Sequence, residues 1–96
     1  MINDTLRNTK FEIQEEIKNK AEIPVMVKKT LLYFLQKANF QRFYAKFCQN
    51  YDTDGMQDLI IDSLVSNTVR TVAGIDKDYL SDIIAEVVFE VIPPVD

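Results

Sequence analysis

The chain has 96 residues, 47% of them hydrophobic and 27% charged, with a formal net charge of −4. That is the size of one domain, residues 1–96, with apolar content enough for a core. Only 2 Gly and 3 Pro exclude collagen-like, low-complexity and disordered classes. With no histidine and a single cysteine, the chain has no His-based catalytic triad, no His-ligated zinc, no internal disulfide and no cysteine-only metal site.

The two glycines, Gly55 and Gly74, build no phosphate-cradling glycine loop. A non-enzymatic protein without cofactor or metal is therefore expected. Cys48 reads as a buried, inert thiol, and its solitude suits a reducing compartment. The opening MINDTLRNTK lacks the basic-then-apolar layout of a secretion signal, and no apolar run approaches the roughly 18 residues that span a bilayer. The expectation is a cytoplasmic protein that does not enter membranes.

Apolar residues spaced three and four apart predict helices throughout. The first runs from about Asp4 to Ala21, with Leu6, Ile13 and Ile17 on one stripe, joined by Ile2 if it starts earlier. Thr9 with Glu12 also fits a capping box, which would start it at residue 9. Phe11 falls opposite the stripe. The second helix begins at Pro24 and turns Val27, Leu31, Phe34, Leu35 and Ala38 inward. A sharp turn is expected at Ala38–Asn39, because the apolar faces before and after it point in nearly opposite directions. Asn39 then caps a third helix, Phe40 to Asn50, with Phe40, Phe43, Tyr44, Phe47 and Tyr51 on one face.

Asp52-Thr53-Asp54-Gly55 reads as a loop, with Asp54 as N-cap and Gln57 as its capping partner for a fourth helix starting at Gly55. The letters Asn50-x-Asp52-x-Asp54-Gly55 also resemble half of an EF-hand loop. Ile61 stands where the closing glutamate should be, so calcium is not expected. Met56, Leu59, Ile60 and Leu64 share one side. Past Ser66-Asn67 the apolar side moves to Val65, Val69 and Val72, predicting a break or a helix buried all round. A short strand over Thr68–Ala73 is the β-branched alternative. Gly74 suits a C-cap. Asp76 caps the last helix, with Ile75 and Leu80 as a hydrophobic staple, and Pro93-Pro94 ends it. Its stripe is Leu80, Ile83, Ile84, Val87, Val88 and Val91. The fold class is all-α: a compact bundle of four to six short helices, its core the aromatic third helix packed on the second, fourth and last.

Charge is unevenly distributed. Residues 1–22 are nearly balanced. Residues 23–51 carry Lys28, Lys29, Lys37, Arg42 and Lys46 with no acid, and residues 52–96 carry ten acids against Arg70 and Lys77. Asp78, Asp82, Glu86 and Glu90 recur every four residues as a carboxylate ridge, and Asp58 and Asp62 repeat the spacing. Four helical residues rise about 6 Å, near the step between phosphates of an extended strand. A ridge of that spacing suits a basic protein surface, including one that binds nucleic acid. Phe89 lies inside the ridge, and both Phe11 and Phe89 oppose the apolar stripes of their helices. Exposed aromatics of this kind anchor interfaces.

The expected function is a small protein-binding module working by stoichiometric contact through Asp78, Asp82, Glu86, Phe89, Glu90 and Phe11. One specific version is an inhibitor of a larger nucleic-acid-binding protein, as a phage-type small protein would be. A self-assembling homo-oligomer, with basic and acidic segments pairing between copies, is the alternative. Nucleic-acid binding through Lys28, Lys29, Arg42 and Lys46 is disfavoured. The rings of the third helix converge on one face, the cations lie on the other, and the net charge is negative.

Overall fold

The computed structural model describes the backbone at 2–50 and 53–92, and side chains at 7–45 and 55–92. Five helices follow in order: α1 (Ile2–Asn19), α2 (Val25–Lys37), α3 (Phe40–Asn50), α4 (Thr53–Thr71) and α5 (Lys77–Val91). No strand occurs among the described residues, as the all-α expectation requires. The side chains of Ile2, Leu6, Lys46, Phe47, Cys48, Asn50, Tyr51, Asp52 and Asp54 lie outside the described set, and with them the readings of the thiol and the calcium-like loop.

α1 packs on α2, α3 and α5, while α4 packs on α2, α3 and α5. Among the described residues, the backbones of α1 and α4, and of α2 and α5, do not approach each other closely. The four long helices therefore stand as a ring in the order α1, α2, α4, α5, with α2 and α5 at opposite corners. α3 closes one end by lying on α1 and α4.

The core is aliphatic. Ile13, Ile17, Leu31, Leu35, Ile60, Leu64, Leu80, Ile84, Val87 and Val88 are all nearly or wholly buried. This corrects the expectation of an aromatic centre. Of the described α3 rings only Phe40 is buried, and Phe43 and Tyr44 pack against the core's edge. An 11-residue helix whose neighbours are α1 and α4 covers the end of a ring of longer helices.

The local grammar explains most boundaries. Pro24 sits extended (φ −58°, ψ 149°) immediately before α2, and Ala38 (φ −66°, ψ 138°) ends it, giving the expected sharp turn. Asn39 Oδ1 accepts from the Arg42 amide at 3.1 Å, as an N-cap does. Asp76 Oδ1 accepts from the amides of Asp78 (2.9 Å) and Tyr79 (3.3 Å) and so starts α5. Gly74 adopts φ +80° between α4 and α5, a conformation that favours glycine.

Of the two readings expected for α4, the continuous helix holds: it is unbroken through Ser66–Asn67, and the alternative strand at Thr68–Ala73 is helix as far as Thr71. Packing by α2, α3 and α5 buries both of its apolar sides, so Met56, Ile60, Leu64 and Val65 all reach the core. Its start is Thr53, which removes Asp54 as N-cap. Gln57 does not complete a capping box; it is 1% exposed and donates through Nε2 to the Ile92 carbonyl at the end of α5.

α1 and α2 are antiparallel, and each cations the other's C-terminal end. Lys28 Nζ donates to Lys18 O at 2.9 Å, and Lys10 Nζ donates to Gln36 O (2.8 Å) and Ala38 O (3.1 Å). Cations there offset the negative ends of the helix dipoles. Lys10 also lies 5.7 Å from the Phe40 ring centroid, and partial burial holds its pKa below the usual 10.5.

Thr68 is fully buried, and its Oγ1 has no hydrogen-bond partner. An unpaired buried hydroxyl is costly, so Thr68→Val, which keeps the branched shape, is expected to raise stability by about 1 kcal/mol. A urea midpoint that rises for this variant checks it; a fall would mean that the hydroxyl is satisfied.

Candidate functional site

The ridge of α5 does not stay on one face. Each step of four residues advances about 40° around the axis, so Asp78 and Glu90 end on different flanks. All four acids are exposed. Glu86 lies toward α1, where Lys20 Nζ approaches its Oε2 at 3.4 Å and Glu22 Oε1 at 3.9 Å. With Glu86 65% exposed, this pair contributes at most about 1 kcal/mol, yet it takes part of the charge expected for docking. Tyr79 Oη donates to Glu22 O at 3.3 Å, fixing the same seam.

Further along the seam, α1 and α5 run antiparallel and leave a cleft of about 390 Å³ lined by Phe11, Glu12, Glu15, Glu16, Glu90 and Val91. Phe11 is 58% exposed on its wall. Four carboxylates thus surround one accessible ring, and Lys18 pairs with Glu15 at 3.4 Å. The structure therefore brings Phe11 and Glu90 together, as side-by-side packing of α1 and α5 allows. Phe89 is 39% exposed and does not line the cleft. Asp78 and Asp82 are solvated and lie off it.

Glu12, Glu15 and Glu16 were missed as site residues. Their signal was present in the run Glu-Ile-Gln-Glu-Glu, but the flanking Arg7, Lys10, Lys18 and Lys20 cancel it in any segment total. Among the described residues, no group of three or more Asp, Glu or Cys is placed to hold a metal ion. No described helix is long and apolar enough to cross a membrane.

The opposite corner is basic. α2 carries Lys28, Lys29 and Lys37 and no acid, and exposes Val25, Met26 and Tyr33. Lys37 Nζ lies 5.6 Å from the Tyr33 centroid. Of the cations considered for nucleic acid, Lys28 is held by the end of α1, Lys29 and Arg42 are exposed, and the Lys46 side chain lies outside the described residues. No known family model, curated protein or solved structure matches the chain significantly, so its site is read from its own geometry.

Proposed function

We propose that this chain is a small, non-enzymatic docking protein that takes a basic protein surface into the α1/α5 cleft and acts by stoichiometric contact. The observation that carries the reading is the exposed Phe11 ring set among Glu12, Glu15, Glu16 and Glu90. An accessible aromatic with a carboxylate rim suits an apolar side chain flanked by lysines or arginines. The ring supplies most of the binding energy, and the charges supply encounter rate and specificity. Asp78, Asp82 and Phe89, exposed on another flank of α5, offer a second surface onto which the contact can extend. A nucleic-acid-binding protein, whose working surface is basic, is a partner of the right chemistry, and inhibition would follow from occupying that surface.

The test compares capture by wild type with capture by Phe11→Ala, by the pair Glu16→Lys/Glu90→Lys, and by Lys29→Glu on the opposite corner. A true partner is retained one-to-one by wild type and Lys29→Glu. It loses about tenfold or more in affinity with Phe11→Ala, the scale of an aromatic anchor. Capture that ignores both cleft variants overturns the proposal. Asp82→Lys then tells whether the contact extends along the ridge.

The opposite placement of the basic α2 and the acidic α5 favours one second reading, head-to-tail association of copies. Light scattering on the same variants separates the two. Self-association would give a mass above the monomer that falls as salt rises from about 0.05 to 0.5 M, because screening shortens the Debye length. Both the cleft variants and Lys29→Glu would then lower that mass.

A further inference from the structure

We propose that a second cleft, where α1, the end of α2 and the start of α3 meet, binds a di- or polyphosphate group. It is about 540 Å³ and is lined by Arg7, Lys10, Lys37, Ala38, Asn39, Phe40 and Gln41. Among the described residues, three cations and no acid line it. Among the described residues no carboxylate pairs with Arg7, Lys10 or Lys37, whereas Lys18 and Lys20 have such partners.

The three cations play different parts. Arg7 and Lys10 lie one helical turn apart on α1, so both side chains reach the same side. Lys10 is fixed by the carbonyls of Gln36 and Ala38 and by the Phe40 ring, which leaves one of its three N–H groups for a ligand. Its two bonds also cover the carbonyl end of α2, which would otherwise present negative charge to an anion. Arg7 and Lys37 are exposed, and Lys37 would leave the Tyr33 ring, 5.6 Å from its Nζ, to meet a ligand. A guanidinium matches two phosphate oxygens at once, while an ammonium acts as a point charge. A singly charged carboxylate would leave most of this charge unmatched, and a diphosphate would not. The cleft is separate from the one lined by Phe11 and Glu90, so the inference does not depend on the docking proposal.

The probe is inorganic pyrophosphate, titrated into the isotope-labelled full chain in low salt while backbone amide shifts are followed. Shifts should concentrate at Arg7–Lys10 and Lys37–Gln41, with a dissociation constant on the order of 1 mM. Arg7→Gln and Lys37→Gln alter exposed side chains and keep the fold. Each should weaken binding about three- to fivefold, the effect of one exposed ion pair, and the double variant more. Lys10 is left intact because it also holds α2. Binding unchanged in the double variant, or shifts centred on Lys28, Lys29 and Arg42, would overturn the proposal. A nucleoside diphosphate and a short single-stranded oligonucleotide, run on the same variants, identify the source of the phosphate. Tighter binding than pyrophosphate with the same dependence on Arg7 and Lys37 assigns it to that ligand.

Discussion

Ile84→Ala is expected to cost about 2–5 kcal/mol of folding stability. Ile84 is fully buried on the face that α5 turns to the core. Truncation removes its hydrophobic transfer energy and leaves a cavity that the surrounding core fills only in part. A domain of this length holds about 5–15 kcal/mol in total, so the upper end of that loss leaves little folded protein at 37 °C. In urea the midpoint should fall by about 1–3 M, since small domains lose about 1–3 kcal/mol per molar urea. Phe89→Ala, on the outward side of the same helix, is the control and should stay within about 1 kcal/mol. Similar losses for both would mean that the inward stripe of α5 is misassigned.

Gln57→Glu is the second large effect, and it depends on pH. Gln57 is buried and points its amide nitrogen at the Ile92 carbonyl, tying the first turns of α4 to the last turn of α5. A protonated glutamic acid can replace that donor, but a carboxylate offers only lone pairs to a carbonyl oxygen. Burial and the missing donor raise the folded-state pKa of the new carboxyl above the unfolded value of about 4.3. Between those two values the folded state binds the extra proton, so the variant loses stability as pH rises and regains it below about pH 4. A rise of about three units corresponds to a loss of about 3 kcal/mol at pH 7, at 1.36 kcal/mol per unit. Urea midpoints of wild type and variant at pH 4 and pH 7 measure it. An equal gap at both values would show that the side chain reaches water.

Ile84 and Gln57 differ in how far the sequence alone reveals their roles. Ile84 was expected in the core because period and cap agree: Asp76 fixes where α5 starts, and the stripe from Leu80 to Val91 follows. Asn39 and Pro24 fix the edges of α3 and α2 in the same way. Gln57 was misread because a local capping pattern and a tertiary hydrogen bond use the same residue, and spacing cannot separate them. The same limit left α4's continuity undecided between two readings. Asn67 Nδ2 bonds back to Ser63 O at 2.8 Å, and Thr71 Oγ1 to Asn67 O at 2.9 Å. Residues that favour turns in isolation are thereby absorbed into a helix that three neighbours hold in place.

The site was legible only as separate faces of α1 and α5. Periodicity placed Glu90 and the exposure of Phe11, but it does not say which helix lies beside which. Only the pairing of α1 with α5 adds Glu12, Glu15 and Glu16 to Glu90, and only the position of Lys20 removes part of Glu86. The aromatic third helix failed for the same reason: Phe40, Phe43 and Tyr44 turn to the core as expected, and the helix's neighbours were not predictable from them.

The placement of α2 and α5 at opposite corners gives this helix pair a strong electric dipole, whatever the net charge of the molecule. Three net charges of each sign lie on these helices, and helix axes about 10 Å apart put the corners of a square some 14 Å from one another. The moment is on the order of 200 debye by that spacing, before the other helices are added. In the field of a charged surface such a body feels a torque as well as a force, and it turns before it arrives. A positively charged partner therefore meets the α5 corner more often than chance allows. The lysines of α2, facing away and touching nothing of that partner, help decide which side arrives first.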